Sequence, residues 1–217
     1  MTRKQKNVLN FLGLIFLLIV LPLGAIYLLD KGINYRKNLI GTLEDYGKMP
    51  EFSLSDYTEI VIDNERLKRG LTVVNFMSLT EKETSDIKGA MISKIHQQFD
   101  DREDIYFLNF VLDGSIDSTN MLYKFIEQHN LEDEEQCFFI SGESDMLERM
   151  ASTGFKIPVK EGELLKKSPY VAFVDANQQI RKYYDMGEEE DVKLLVQHLM
   201  LLLPVVNQRK GKYEVEE

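Results

Sequence analysis

Few residues in this chain of 217 carry side chains that make or break bonds readily. There is one cysteine, Cys137, so no intramolecular disulfide can form and neither a CxxC nor a CxxxC pair exists. A lone thiol could serve redox chemistry. Cys137, however, opens the apolar run Cys137-Phe138-Phe139-Ile140, where a cysteine packs as a small inert hydrophobe. His96, His129 and His198 are scattered through helical patterns, and metal sites need converging ligands, so each reads as a surface or boundary residue. Glu81 and Glu83 could act as general acid and base. The simpler reading of Thr80-Glu81-Lys82-Glu83 is a Thr-x-x-Glu capping box, with acidic charge favourably placed at a helix N-terminus. Lys167 could be a nucleophile or an anion contact, but Lys166-Lys167 reads more simply as a solvated loop pair.

These residues sit in an acidic chain. The formal net charge is −10; the first 40 residues hold Arg3, Lys4, Lys6, Lys31, Arg36 and Lys37 against Asp30, a net of +5, which leaves −15 (−10 minus +5) for the remainder. Phosphate backbones repel such a domain, so nucleic acid is excluded as a partner. Val8 to Leu29 is apolar apart from Asn10 and uncharged. At about 1.5 Å per residue it spans roughly 33 Å, enough for a bilayer core. A cleaved signal peptide is the rival reading, but the run is long for one and Leu23-Gly24-Ala25 is a poor cleavage site. The expectation is a cytoplasmic N-terminus over residues 1–7 and a transmembrane helix over 8–29. Basic residues flank the span almost equally on both sides; a short basic N-terminus that stays in the cytoplasm places the domain on the periplasmic side of the inner membrane.

The elements that must position the reactive side chains follow from periodicity. A polar linker is expected over residues 30–49, a globular domain over 50–204 and a flexible tail over 205–217. Leu71 to Phe76 reads as a buried strand. Ile87, Ala90, Met91, Ile95 and Phe99 recur at helical spacing and predict one buried helix face, with the helix starting just after Thr80. Thr58 to Ile62 reads as a short strand. Ile105 to Leu112 is a nearly continuous apolar run, as a central parallel strand covered on both faces should be. A helix capped by Asp117 or Ser118 follows, then the strand from Cys137 and a helix over Ser144 to Thr153. Tyr170 to Val174 and Ile180 to Tyr184 predict an antiparallel hairpin, and Val192 to Leu203 an amphipathic helix. Strands alternating with helices, then a hairpin and a helix, predict an α/β fold: a central mixed sheet flanked by helices, preceded by one transmembrane helix.

Four stretches together resemble the Sco/SenC family, the membrane-anchored thioredoxin-like copper chaperones of cytochrome c oxidase assembly. They are Pro50-Glu51-Phe52-Ser53-Leu54-Ser55-Asp56, Val73-Val74-Asn75-Phe76, Phe110 to Ser118, and Ser168-Pro169-Tyr170-Val171-Ala172-Phe173-Val174-Asp175. The third resembles a strand ending in an Asp-Pro-x-x-Asp-Thr loop, with Gly114 in the proline's place. The resemblance implies a thioredoxin-like domain and a copper site of a CxxxC pair plus a distant histidine. Carried onto this sequence, those ligands fall at Glu81, Ser85 and Lys167, so all three are missing. Pro169 falls where thioredoxin folds place a cis-proline, an isomer whose retention here stays open.

The resemblance therefore implies a chain that keeps the scaffold and loses its chemistry. The leading expectation is a non-catalytic binding or scaffold factor without a cofactor. It would be tethered to the bilayer by residues 8–29 and would recognise a protein partner, which the resemblance implies to be subunits or assembly factors of a respiratory oxidase. The recognising face would be built from the loops Leu79–Asp86, Asp113–Ser118 and Lys166–Pro169, with Asp86, Asp113, Asp117 and Pro169 as its residues. Two alternatives stand beside it: a redoxin-type electron or copper carrier using ligands supplied by a partner, and a membrane-tethered sensor.

Overall fold

The computed structural model describes Gln5, Phe11 and residues 13–68, 70–114 and 117–203; of Asp117 and Ser118 the backbone alone is described. Residues 1–4 and 6–10, Leu12 and the segment 204–217 lie outside the described residues, and with them parts of the expected N-terminus and span and all of the expected tail.

The chain forms two compact units, Met1–Thr42 and Leu43–Glu217. The first is the helix α1, Gly13–Ile40, long and apolar enough to cross a membrane by length and composition. A π-type turn occupies Phe16–Val20, and Pro22, which has no N–H to give the helix, follows directly after it. Beyond Leu29 the helix becomes polar: Asp30 accepts a bond from Asn34 at 3.1 Å, and the Lys31 ammonium lies 5.0 Å from the Tyr27 ring centroid.

The second unit is built on a five-stranded sheet of order β5-β4-β3-β6-β7, from Leu71–Met77 (β3), Ile105–Val111 (β4), Cys137–Ser141 (β5), Tyr170–Val174 (β6) and Ile180–Asp185 (β7). β3, β4 and β5 are parallel; β6 and β7 are antiparallel to their neighbours. Every residue of β3 is buried, as a strand covered on both faces must be. Helices α2 (Lys82–His96), α3 (Asp117–His129) and α5 (Glu189–Leu202) contribute to the core on one face, with Val73, Phe107, Phe139 and Tyr184 of the sheet. On the other face Val74, Phe76, Phe110 and Phe138 pack with Leu147 of helix α4 (Ser144–Arg149) and with Ile62 of a small hairpin, β1 (Ser53–Ser55) and β2 (Val61–Asp63). Within the segment expected as a linker, residues 30–40 are helical. Residues 44–49 run beside β7, with Glu44 and Tyr46 donating to the carbonyls of Arg181 and Ile180 at 2.9 and 3.0 Å.

Two amide side chains lie inside this largely apolar sheet. Asn75 and Asn109 are register partners on β3 and β4, and the Asn75 amide donates to Asn109 Oδ1 at 3.1 Å. Asn109 Nδ2 reaches the carbonyls of Phe107 and Phe138, both at 3.3 Å, while Asn75 Oδ1 has no partner.

The buried face of α2 is not the one its periodicity suggests. Ile87 and Ala90 are exposed and Met91 half-buried, whereas Ser85, Lys88, Gly89, Ile92, Ser93, Ile95 and His96 point inward. Gly89 explains part of this rotation. A Cβ there would stand 2.5 Å from the Phe125 ring and 2.6 Å from the His129 ring, so α3 approaches α2 at the one residue without a side chain. The histidines are likewise interior rather than at the surface. His96 meets Asp133 at 2.9 Å, His129 meets Asp86 at 3.5 Å, and Nδ1 of the fully buried His198 bonds the Tyr184 hydroxyl at 2.6 Å.

The tight approach at Gly89 gives a direct check. Gly89→Leu should destabilise the domain by about 1–3 kcal/mol, the usual cost of overpacking, read as a lower midpoint in chemical denaturation.

Candidate functional site

Glu81, Ser85, Asp113 and Lys167 lie toward one end of the sheet, where β3 and β4 run out and α2 begins. There the chain must turn from strand to helix, and Asp113 organises the turn. Its carboxylate, just past β4 and largely buried, accepts bonds from Ser78 Oγ at 2.7 Å and Thr80 Oγ1 at 3.0 Å, and one from the Leu79 backbone N–H. Three donors on consecutive residues thus converge on one carboxylate, which serves β3 and α2 as a shared anchor. The capping box does not form: Thr80 is spent on Asp113, the N-cap is Glu81, and no side chain caps the helix. Glu83 is exposed.

Glu81 and Lys167 meet. Lys167 ends the short 3-10 turn Leu165–Lys167 before β6, and its ammonium stands 3.7 Å from Glu81 Oε2. Both remain partly in water, so the pair contributes at most about 1 kcal/mol. Ser85, one turn further into α2, is buried, and its hydroxyl donates to the Lys82 carbonyl at 3.1 Å. Lys166 is not a free solvated lysine either; it faces Glu148 of α4 at 3.5 Å. Asp86 turns toward α3, within reach of His129 and Gln128. Pro169 lies between Ser168 and β6, and among the described residues no peptide bond is cis. Asp117 opens α3, and its side chain lies outside the described residues.

Cys137 is buried at the other end of the sheet. It pairs in register with Phe107, six residues before Asp113, hence about 20 Å away along the strand. Burial pushes its thiol well above the usual range, and Asp133 adds to the effect. The thiolate, the reactive form, is therefore suppressed.

Sequence reasoning missed Lys88. It follows Ser85 by one turn on the inward face, is completely buried, and donates from Nζ to the Phe76 carbonyl at 2.8 Å. Loss of hydration brings its pKa down from 10.5 to about 7, with the Asp185 charge pulling the other way. The sequence offered no signal for it: with Ala90 read as inward, Lys88 two positions away falls on the opposite side of the helix, which agrees with the default reading of any lysine as solvated.

A groove of about 640 Å³ lies away from these residues, between α2 and α5, lined by Met91, Ile95, Val192, Val196 and Met200 among others.

No family model and no curated protein matches the sequence. Solved structures do. A SCO1/SenC family lipoprotein from Bacillus anthracis aligns with a TM-score of 0.61 at 17% identity, covering 71% of this chain and 94% of its own. BsSco, a member of the Sco family of cytochrome c oxidase assembly proteins, aligns at 0.56 and 16%, covering 72% and 94%. The thioredoxin domain of a thiol-disulfide oxidoreductase from Bacteroides vulgatus aligns at 0.50 and 15%, covering 72% and 97%. The fold is thioredoxin-like. Sco/SenC structures are among the neighbours of this thioredoxin-like domain, in keeping with the four stretches that resemble the family.

The resemblance implies copper, so the donor set can be tested against it. Cu(I) favours thiolate, thioether and imidazole ligands. The three matching places offer a carboxylate, a buried hydroxyl engaged with the Lys82 carbonyl, and an ammonium that has no lone pair to give. That set does not fit copper.

Two outcomes follow for these residues. Asp113→Asn should cost roughly 2–4 kcal/mol of stability, because an amide cannot accept all three donors; thermal denaturation would show the loss. Lys88 carries a pH signature. Between pH 7 and 10.5 the unfolded chain holds a proton on this lysine that the folded chain has released, so stability rises with pH across that window. Lys88→Met should therefore flatten the rise in stability seen between pH 7 and 9 in urea titrations.

Proposed function

We propose that this chain is a membrane-tethered, non-catalytic thioredoxin-like protein that binds a partner in the membrane and holds it for assembly or stabilisation. The observation that carries the reading is the Glu81–Lys167 ion pair with Ser85 buried beside it. The corner of the fold where the resemblance puts three soft copper ligands holds instead two opposite charges that neutralise each other and a hydroxyl facing the backbone. The single thiol is buried, raised in pKa and about 20 Å distant. A redoxin or copper carrier would need its ligands from elsewhere, so the reading includes no cofactor and no enzymatic turnover.

The face around the ion pair is suited to recognition. Leu164 is 66% exposed and Val159 41%, and they sit among Lys160, Glu161, Glu163 and Lys167 on the segment leading to β6. An apolar anchor ringed by charge is the usual composition of a small docking surface. The helix α1 supplies the tether, with the domain placed on the periplasmic side of the inner membrane and the partner confined to the same plane, which raises its effective concentration. The proposed partner class, respiratory oxidase subunits or their assembly factors, follows the description of BsSco as a member of a cytochrome c oxidase assembly family. Nucleic acid is no partner for a domain of net charge −15.

Affinity purification of the tagged full-length protein from native membranes in mild detergent, followed by mass spectrometry, tests this. Haem–copper oxidase subunits or their assembly factors should be recovered, and Leu164→Asp should reduce that recovery at least several-fold without lowering the thermal midpoint. Recovery of an unrelated complex would remove the oxidase from the proposal. A partnerless protein that shows a thermal shift with a small molecule would replace scaffold with sensor.

A further inference from the structure

β5 is the last strand on its side of the sheet, and its outer edge carries an aromatic pair that lies partly in water. The Tyr57 N–H donates to the Phe139 carbonyl at 2.9 Å, which seats this residue against the edge. The Tyr57 ring meets Phe139 edge-on, with centroids 6.1 Å apart, and meets Tyr123 of α3 edge-on at 5.8 Å. Tyr57 is half-buried, whereas Tyr123 is 52% exposed.

Carboxylates border the pair. The Cys137 N–H donates to the Asp133 carbonyl at 2.8 Å, so the turn holding Glu132 and Glu134 runs along the same edge. Positions 137 and 139 are about 6.6 Å apart along a strand, which brings that turn beside Tyr57. Asp133 is engaged by His96 at 2.9 Å and by the N–H groups of Glu135 and Gln136. Glu132 and Glu134 are exposed and form no ion pair among the described residues. Burial, then the charges of Glu134, Asp56 and Glu132, raise the pKa of the Tyr57 hydroxyl, so all three carboxylates act on it. Glu127, one helical turn beyond Tyr123, is exposed as well, and Lys124 offsets one of these charges. Asp56 adds an unbalanced group. It is 5% exposed; its Oδ1 accepts bonds from Thr58 and Ile60, while its Oδ2 is buried without a partner. A carboxylate so placed is stabilised by a cation brought near it.

We propose that Tyr57 and Tyr123 form a docking site for a cationic side chain, an arginine or lysine on a basic segment of a protein partner. The face of a tyrosine ring is electron-rich and attracts a guanidinium or an ammonium laid over it. Glu132 and Glu134 supply acceptors for the N–H groups of that cation, and the acidic border repels an anionic competitor. Tyrosine suits the task because it offers a broad contact area with few torsions to fix. The site is distinct from the face around Val159 and Leu164: that segment leads into β6, and β4 and β3 stand between β6 and β5. Binding here therefore does not depend on the function proposed for the other face.

NMR of the full-length protein in phosphatidylcholine nanodiscs, with isotope-labelled tyrosine rings, tests this. The probe is a capped glycine-rich peptide with two arginines; its twin carries citrulline, which keeps the shape and loses the charge. Of the ten tyrosines, Tyr57 and Tyr123 should shift and saturate with the arginine peptide and stay in place with the citrulline one. Tyr123→Ala should weaken binding about two- to fivefold, the worth of one exposed cation–π contact. Tyr123→Phe, read at Tyr57, should leave the affinity unchanged, because the ring and not the hydroxyl makes the contact. Glu134→Gln, at an exposed position, should also weaken binding and keeps the test decisive if Tyr123→Ala fails to fold. Equal shifts with the citrulline peptide, shifts that never saturate, or an affinity untouched by Tyr123→Ala and Glu134→Gln would overturn the proposal.

Discussion

The site corner depends on one carboxylate. Asp113 gathers Ser78, Leu79 and Thr80, three consecutive residues of the turn between β3 and α2, onto the end of β4. Because Thr80 is occupied there, the helix starts later, with Glu81 as its first flanking residue. The starting point of a helix fixes the direction of every side chain along it. Ser85 and Lys88 consequently face the sheet, and Ile87 and Ala90 face water. The ion pair at Glu81, the buried amine beneath it and the close approach at Gly89 are all downstream of that bond cluster.

Much of this architecture was legible in the sequence. The runs at 71–76, 105–112, 137–140, 170–174 and 180–184 are rich in β-branched and aromatic residues, and each is a strand of the central sheet. The apolar runs of β3, β4 and β5 report burial on both faces. Residue interactions far apart in sequence were not legible. Asp113 lies more than thirty residues from the turn it organises, and Lys167 lies still further from Glu81, so neither pairing leaves a local pattern. Thr80 and Glu83 fit a capping box by spacing alone, and a tertiary acceptor outcompeted it. The three histidines failed for a similar reason, since each is made tolerable in the interior by a partner on another element.

The corner places opposite charges where the family resemblance would put soft ligands. A carboxylate and an ammonium side by side neutralise each other without recruiting anything from solution, whereas a thiolate and an imidazole would remain available to a metal. The same corner keeps a buried lysine whose desolvation works against stability. Natural sequences commonly tolerate such local conflicts where function constrains them. The net charge of −15 outside the first 40 residues repels anionic surfaces.

The Asn75–Asn109 pair bears on how this fold finds itself. β3 and β4 are both apolar along their length, and by hydrophobicity alone they could be laid side by side in several alignments. In the observed one, the two amides face each other between layers of hydrocarbon. Sliding either strand by a single residue would set Asn75 against Leu108 or Phe110 and take from its amide the Asn109 acceptor. The pair thus works as a key cut into two otherwise interchangeable strands. It contributes little to the depth of the native basin and much to its uniqueness, and it does so at the centre of the sheet, where every later pairing inherits the alignment.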